Sequence, residues 1–239
     1  MISELKKDVQ KLANLEKAKI YQGFFKTGKG EYGEGGVFLG LTVPQSRKIA
    51  IKYRDLKFTD IKKLLQSKIH EERLIALLIL VHDFEKGSKE DQKDIYDYYL
   101  RNTKYINNWD LVDLSAYNII GQYLLDKSKD ILFRLARSKN LWERRMSIIA
   151  TYQFIKDGRY QETLTISKML LNDQHDLIHK AVGWMLREVG KNCSEDLLEE
   201  FLKKHYKKMP RTTLRYAIER FPEGLRKEYL DGSKIPDRQ

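Results

Sequence analysis

Apolar residues recur along this chain at intervals of three and four. Leu74, Leu77, Leu78 and Val81 form one such face, Met146, Ile149, Ala150 and Phe154 a second, and Ile178, Ala181, Val182, Met185 and Val189 a third. That is the period of an amphipathic helix, whereas a half-buried strand alternates at every second residue. No sustained alternation occurs, and no Asn-Gly or Asp-Gly pair joins two β-branched runs. The prolines are four, Pro44, Pro210, Pro222 and Pro236. Such scarcity permits long helices, because a proline inside a helix removes a hydrogen bond and clashes with the preceding turn. The pattern predicts an all-α protein.

The helices also read as one unit repeated. Residues 71–84, 142–154, 176–190 and 211–221 each open with charge and continue as an apolar stripe containing small residues. Aligned on Arg73, Arg145 and Ala181, they fall at multiples of about 36 residues, the range of helical solenoid repeats, and the same step reaches Trp109. Less apolar helices, Lys89 to Leu100 and Glu195 to His205, alternate with these stripes. The expected fold class is therefore an α-solenoid of HEAT-like helical repeats, an α-α superhelix whose concave surface suits an extended ligand. One domain is expected over 1–231. A tail without apolar anchors follows at 232–239, and Thr27 to Gly36, with five glycines, reads as a flexible loop.

Charge changes this picture. Lys and Arg number 45 against 34 Asp and Glu, a net charge of +11 with a pI near 9.4. A basic face gains affinity for a polyanion by releasing counterions from phosphates. Cys193 is the single cysteine, so no internal disulfide forms and a reducing cytoplasm fits. The polar N-terminus has no secretory apolar region, and the best apolar run, Leu74 to Val81, is far shorter than a membrane span. The expectation is a cytoplasmic protein without a membrane partner.

Most chemical motifs dissolve on inspection. Gly28 to Gly33 matches the spacing G-x-G-x-x-G, yet that fingerprint needs a parallel strand before it and a helix after it. His175 and His179 share a helical face, but Asp176 stands where a zinc motif needs Glu, and no third ligand is in view. Cys193 has no neighbouring His or Cys and reads as a structural thiol. Trp109 and Asp113, four apart in Asn-Asn-Trp-Asp-Leu-Val-Asp-Leu, would project from one helical face. An aromatic plane beside a carboxylate suits a developing cation. From spacing alone a core Trp and a helix-supporting Asp are the commoner meaning of such a pair. Trp184, between Lys180 and Arg187, faces either core or groove. Arg144 and Arg145 are either solvated or aimed at phosphate, and Arg211, Arg215 and Arg220 form a further basic group.

Together these segments carry a resemblance. W-D-x-V-D at 109–113, N-x-W-x-x-R at 140–145, K-A-x-G-W-x-L-R-E at 180–188 and F-L-G-x-x-V-P-x-x-R at 38–47 occur in the order in which they resemble the AlkD family. These are bacterial DNA-alkylation-repair glycosylases built from HEAT-like repeats. The resemblance implies base excision repair. The N-glycosidic bond of cationic purines such as 3-methyladenine and 7-methylguanine would be hydrolysed in duplex DNA without metal or organic cofactor. It assigns the catalytic carboxylate to Asp113, the groove tryptophans to Trp109 and Trp184, and the phosphate- and lesion-site arginine to Arg145. Lys180 and Arg187 join the DNA-binding set, with Arg47, Arg211 and Arg215 as further contacts. The family's N-terminal aromatic hydroxyl has no Tyr in register, because the stretch reads Gln22-Gly23-Phe24-Phe25-Lys26. Phe24 breaks the pattern there, and either Tyr21 or Tyr32 supplies the hydroxyl or that role is absent. The family works from the backbone side of the lesion, so no deep base pocket is expected. A monomer acting on the bacterial nucleoid is implied. Two other functions stand beside this one: a non-catalytic HEAT-like protein binding distorted or branched DNA, and a protein-binding scaffold with an incidental basic face.

Overall fold

A computed structural model describes residues 1–233, so the expected tail, apart from Gly232 and Ser233, lies outside the described residues. The chain forms α1 (Ile2–Lys11), α2 (Leu15–Phe24), α3 (Val43–Lys52), α4 (Phe58–Leu65), α5 (His70–Lys86), α6 (Lys89–Arg101), α7 (Trp109–Asp113) and α8 (Gln122–Leu124). There follow α9 (Asp130–Ala136), α10 (Leu141–Ala150), α11 (Tyr152–Lys156), α12 (Gln161–Leu170), α13 (Asp176–Asn192), α14 (Glu195–His205), α15 (Arg211–Ala217) and α16 (Glu223–Asp231). Among the described residues β pairing is limited to an isolated parallel bridge between Val37 and Ile69. The fold is thus the all-α, helical-repeat class that the periodicity predicts. No helix among the described residues is long and apolar enough to cross a membrane.

Contacts divide the chain into two compact units, the first running from Met1 to Ser115 and the second beginning at Ala116. In the first, α5 is the hub, packed against α3, α4, α6 and α7. Its predicted apolar face was too narrow. Ile75, Ala76, Ile79 and Leu80 are buried as well, because a helix enclosed on several sides needs apolar residues around most of its circumference. Leu78 and Val81 instead line a groove shared with Arg47 and Arg54.

In the second unit the hub is α13, packed against α10, α12, α14 and α15. Gly183 explains part of the Gly-Trp motif: a Cβ there would strike the Thr213 carbonyl and Tyr216 of α15, so the helices approach too closely for any side chain. Preceding α8, residues Tyr117–Gly121 form a π-helical turn whose Gly121 lies equally tight on the Ala150 carbonyl. The segment expected as one helix over 142–154 is split at Thr151, whose hydroxyl turns back to the Ile148 carbonyl at 2.7 Å.

The repeat is visible in its corners. Arg73 donates to the carbonyls of Ser67 and Lys68, at 2.8 and 3.1 Å, and so satisfies the chain between α4 and α5. Arg144 does the same for Ser138 and Lys139, at 3.0 and 3.1 Å, between α9 and α10. Both close the local pattern Ser-Lys-x-x-x-Glu-Arg. The structural counterpart of Arg73 is therefore Arg144, one residue before the position on which the sequence aligned.

Candidate functional site

The five helices that begin the repeated stripes have N-caps at Ile69, Asn108, Asn140, His175 and Pro210. Asn108, Asn140 and His175 accept backbone N–H bonds through their side chains, which fixes where each helix starts. Counting five residues past each cap gives Leu74, Asp113, Arg145, Lys180 and Arg215. Four of the candidate residues thus occupy one repeat position. It carries a leucine and an acid in the first unit and bases in the second.

In the first unit the site is built around α7. A helix of five residues cannot hold itself together, so its orientation comes from its anchors. At its start Asn108 accepts the Trp109 N–H at 2.8 Å. At its end Ser115 donates to the Leu111 carbonyl at 2.5 Å and meets the buried Tyr99 hydroxyl at 2.7 Å. Burial pushes the Tyr99 phenol well above its ordinary range, and the nearby Asp113 charge adds to the rise. Between these ends, buried Asp110 lies 2.7 Å from Nε2 of His70, the first residue of α5. Trp109 and Asp113 are the two ends of this clamped turn.

Both line a cavity of about 350 Å³, together with Tyr21, Phe24, Phe25, Phe38, Leu41, Val43, His70, Glu71, Leu74, Asp110 and Leu114. Its volume is at the low end for a small-molecule site, roughly 300–1,000 Å³. The cavity is walled by the aromatic packing of residues 21–38 against α7. Phe25 stacks on Trp109 at a centroid distance of 5.3 Å and on Phe38 at 4.8 Å. Phe24, 60% exposed, sets its edge against Trp109 at 5.8 Å. Of the two candidate hydroxyls, Tyr21 lines the cavity, while Tyr32 donates to the Phe24 carbonyl at 3.4 Å from outside the lining. The wall from Leu39 to Leu41 is held by Glu71, whose buried carboxylate accepts three successive backbone N–H bonds at 2.7–3.2 Å. Gly40, at φ +88°, permits the turn and the close approach to Asn14.

The glycine-rich loop is more ordered than the sequence implied. Glu31 accepts the Gly28 N–H at 2.8 Å and Glu34 that of Gly30 at 2.9 Å. Amides that would cradle a phosphate are thus already capped by carboxylates, which removes the dinucleotide reading on physical grounds. Arg47 is exposed on the groove between α3 and α5, which shares no residue with the aromatic cavity.

The second unit holds the other candidates in a different state. Arg145 is buried and donates to the Leu177 carbonyl. Arg144 forms a 2.6 Å ion pair with Asp173, so the two arginines are not a solvated pair. Lys180 pairs with Asp176 at 2.7 Å. Trp184 donates its indole N–H to Glu188 at 3.2 Å, and Arg187 bonds both Glu188 and Glu219. Tyr152 lies against Trp184 at 6.1 Å and Tyr117 against Tyr152 at 5.3 Å, while Lys156 sits over both tyrosine rings. Arg211 donates to the Leu230 carbonyl, whereas exposed Arg215 has no ion pair among the described residues. His175 caps α13 and His179 contacts the Asp173 carbonyl, both structural uses. Sequence reasoning gave no site role to Phe25, Phe38, His70, Glu71 or the Tyr117–Tyr152 pair, although Phe38 opens the motif at 38–47.

Residues 5–221 match the family model described as DNA alkylation repair enzyme. No curated protein matches the chain. Among solved structures, a predicted DNA alkylation repair enzyme from Enterococcus faecalis superposes with a TM-score of 0.68 over 88% of this chain and 97% of its own, at 16% identity. At that identity the likeness speaks for the fold.

Proposed function

The chain belongs to the DNA alkylation repair enzyme family, and from that premise we propose that it is a monofunctional DNA glycosylase of the AlkD type. It would hydrolyse the N-glycosidic bond of cationic purines, 3-methyladenine and 7-methylguanine among them, in duplex DNA. The observation that carries this reading is the pairing of Trp109 and Asp113 on one clamped helical turn, lining an aromatic cavity. A purine alkylated at N3 or N7 is already charged. The C1′–N bond therefore breaks with its electron pair going to the base, which leaves neutral. The sugar becomes oxocarbenium-like; water adds to C1′, and its proton passes to Asp113. A carboxylate beside C1′ stabilises the developing charge and holds the water, and an adjacent indole face adds a cation–π contribution.

The second unit would serve the duplex. Its exposed or half-exposed bases, Lys180, Arg187, Arg211 and Arg215, suit phosphates, with Arg47 contributing from the first unit. Trp184, half-buried, suits a groove contact, and Arg145 would act by fixing the start of α13. We propose that the protein acts as a cytoplasmic monomer. The test is release of 7-methylguanine from methylated duplex DNA. The wild type should release it and Asp113→Asn should not, with duplex affinity retained. A wild type that shifts branched DNA in a salt-dependent manner yet releases nothing would replace this reading with non-catalytic binding.

A further inference from the structure

His70 and Asp110 form a buried pair that the catalytic reading leaves unused. His70 is 2% exposed and Asp110 5% exposed, with Nε2 and Oδ2 2.7 Å apart. The pair joins α5 to α7 across forty positions of sequence. Its second face is aromatic: the His70 ring stacks on Phe38 at 4.4 Å and lies tilted over Phe25 at 5.2 Å, and Phe25 in turn stacks on Trp109. One imidazole therefore touches both things that fix Trp109, the backbone turn that carries it and the ring that covers it. The other Asp110 oxygen, Oδ1, is buried and takes no hydrogen bond from the described residues, so His70 is the bonded partner of that carboxylate. Arg73, one turn further along α5, feels the Asp110 charge; burial lowers its guanidinium from the ordinary range, and Asp110 and Glu71 oppose that fall.

We propose that His70 and Asp110 are positioning residues for the proposed reaction, setting the angle at which α7 presents Trp109 and Asp113. The inference rests on the glycosylase reading for its kinetic part and on the geometry alone for its structural part. A buried carboxylate that loses its bonded partner must regain one or move, and a five-residue helix has few contacts of its own to resist that movement. His70→Phe keeps the ring on Phe38 and deletes the Nε2–H. Asp110→Ala deletes the acceptor. Asp110→Asn retains an acceptor oxygen for the imidazole and should rescue.

The experiment labels the full-length protein with 5-fluorotryptophan and assigns the Trp109 resonance by its loss in Trp109→Phe. In His70→Phe and Asp110→Ala that resonance should shift, kcat for 7-methylguanine release should fall at least tenfold, and duplex Kd should stay within about twofold. Asp110→Asn should return both readouts towards the wild type. Leu202→Ala, a destabilised control in the core of the second unit, should leave the Trp109 resonance in place. An unmoved resonance in folded His70→Phe or Asp110→Ala overturns the proposal, as does a moved resonance with wild-type kcat. If the wild type itself releases no base, the glycosylase reading falls, and the fluorine shift still decides whether the pair sets the helix.

Discussion

The two units treat the same repeat position in opposite ways. Five residues past the cap, the first unit places Leu74 and Asp113, the acid half-buried on a short clamped helix and both lining a cavity walled by aromatic rings. The second unit places Arg145, Lys180 and Arg215 there, on longer packed elements. Much of its charge is already engaged, Arg145 by the Leu177 carbonyl, Lys180 by Asp176 and Arg187 by Glu188 and Glu219. A solenoid repeat fixes where a side chain stands; the residue written there sets the charge that the place presents. The difference also separates cost. A carboxylate lining an apolar cavity has to be supported by its neighbours, whereas exposed bases need only solvent and a phosphate.

The sharpest way to break the comparison is to remove the acid. Asp113→Asn should lower kcat for base release by about a thousandfold, in line with loss of a preorganised electrostatic group, while single-turnover assays and duplex binding separate chemistry from affinity. A fall shared equally between kcat and binding would move Asp113 into the DNA-contact group. Next comes the aromatic wall. Phe25→Ala should cost about 3 kcal/mol by chemical denaturation, because it removes a buried ring stacked between Trp109 and Phe38. Exposed Phe24→Ala should change stability by no more than about 0.5 kcal/mol. Equal losses for both would show that Phe25 is not the packed partner of the two.

In the second unit, Gly183→Ala should destabilise by about 2 kcal/mol through forced separation of α13 and α15. Its thermal midpoint gives the measure. Arg215→Ala should weaken duplex binding severalfold and make the slope of log Kobs against log salt shallower by about one, as expected for a lost phosphate contact. An unchanged slope would take Arg215 out of the interface. The smallest effect concerns acid. Asp8, bonded by Lys52 at 2.5 Å and by the Tyr53 hydroxyl at 2.8 Å, has its carboxyl lowered from 3.8 to about 2. A depressed carboxylate stabilises the fold above its unfolded pKa and loses that contribution as pH falls through the folded one. The difference in Tm between wild type and Asp8→Asn should therefore be constant above about pH 5 and shrink between pH 4 and 2.

Much of the fold was legible because its determinants are local. Helix α14 spans Glu195–His205, the range that the polar and apolar pattern predicts, and Trp109 and Asp113 bound α7 as their spacing implies. Hydrogen bonds within a turn and caps two or three residues away are written in neighbouring letters. The repeat length was legible too, although its register slipped by one residue. The sequence marks both Arg144 and Arg145, and only the bonds from Arg144 to Ser138 and Lys139 show which of them is the counterpart of Arg73.

What the sequence determined by itself is the helical period, the net charge of +11 and the family motifs that single out Asp113. What only tertiary structure decided is the company these residues keep. Phe25 rather than Phe24 is the buried ring on Trp109, Tyr21 rather than Tyr32 lines the cavity, and His70 meets Asp110. The reason is range: backbone bonding and amphipathic spacing act over a few residues, while the partner of a buried polar group or ring is chosen by non-local packing that no short pattern encodes.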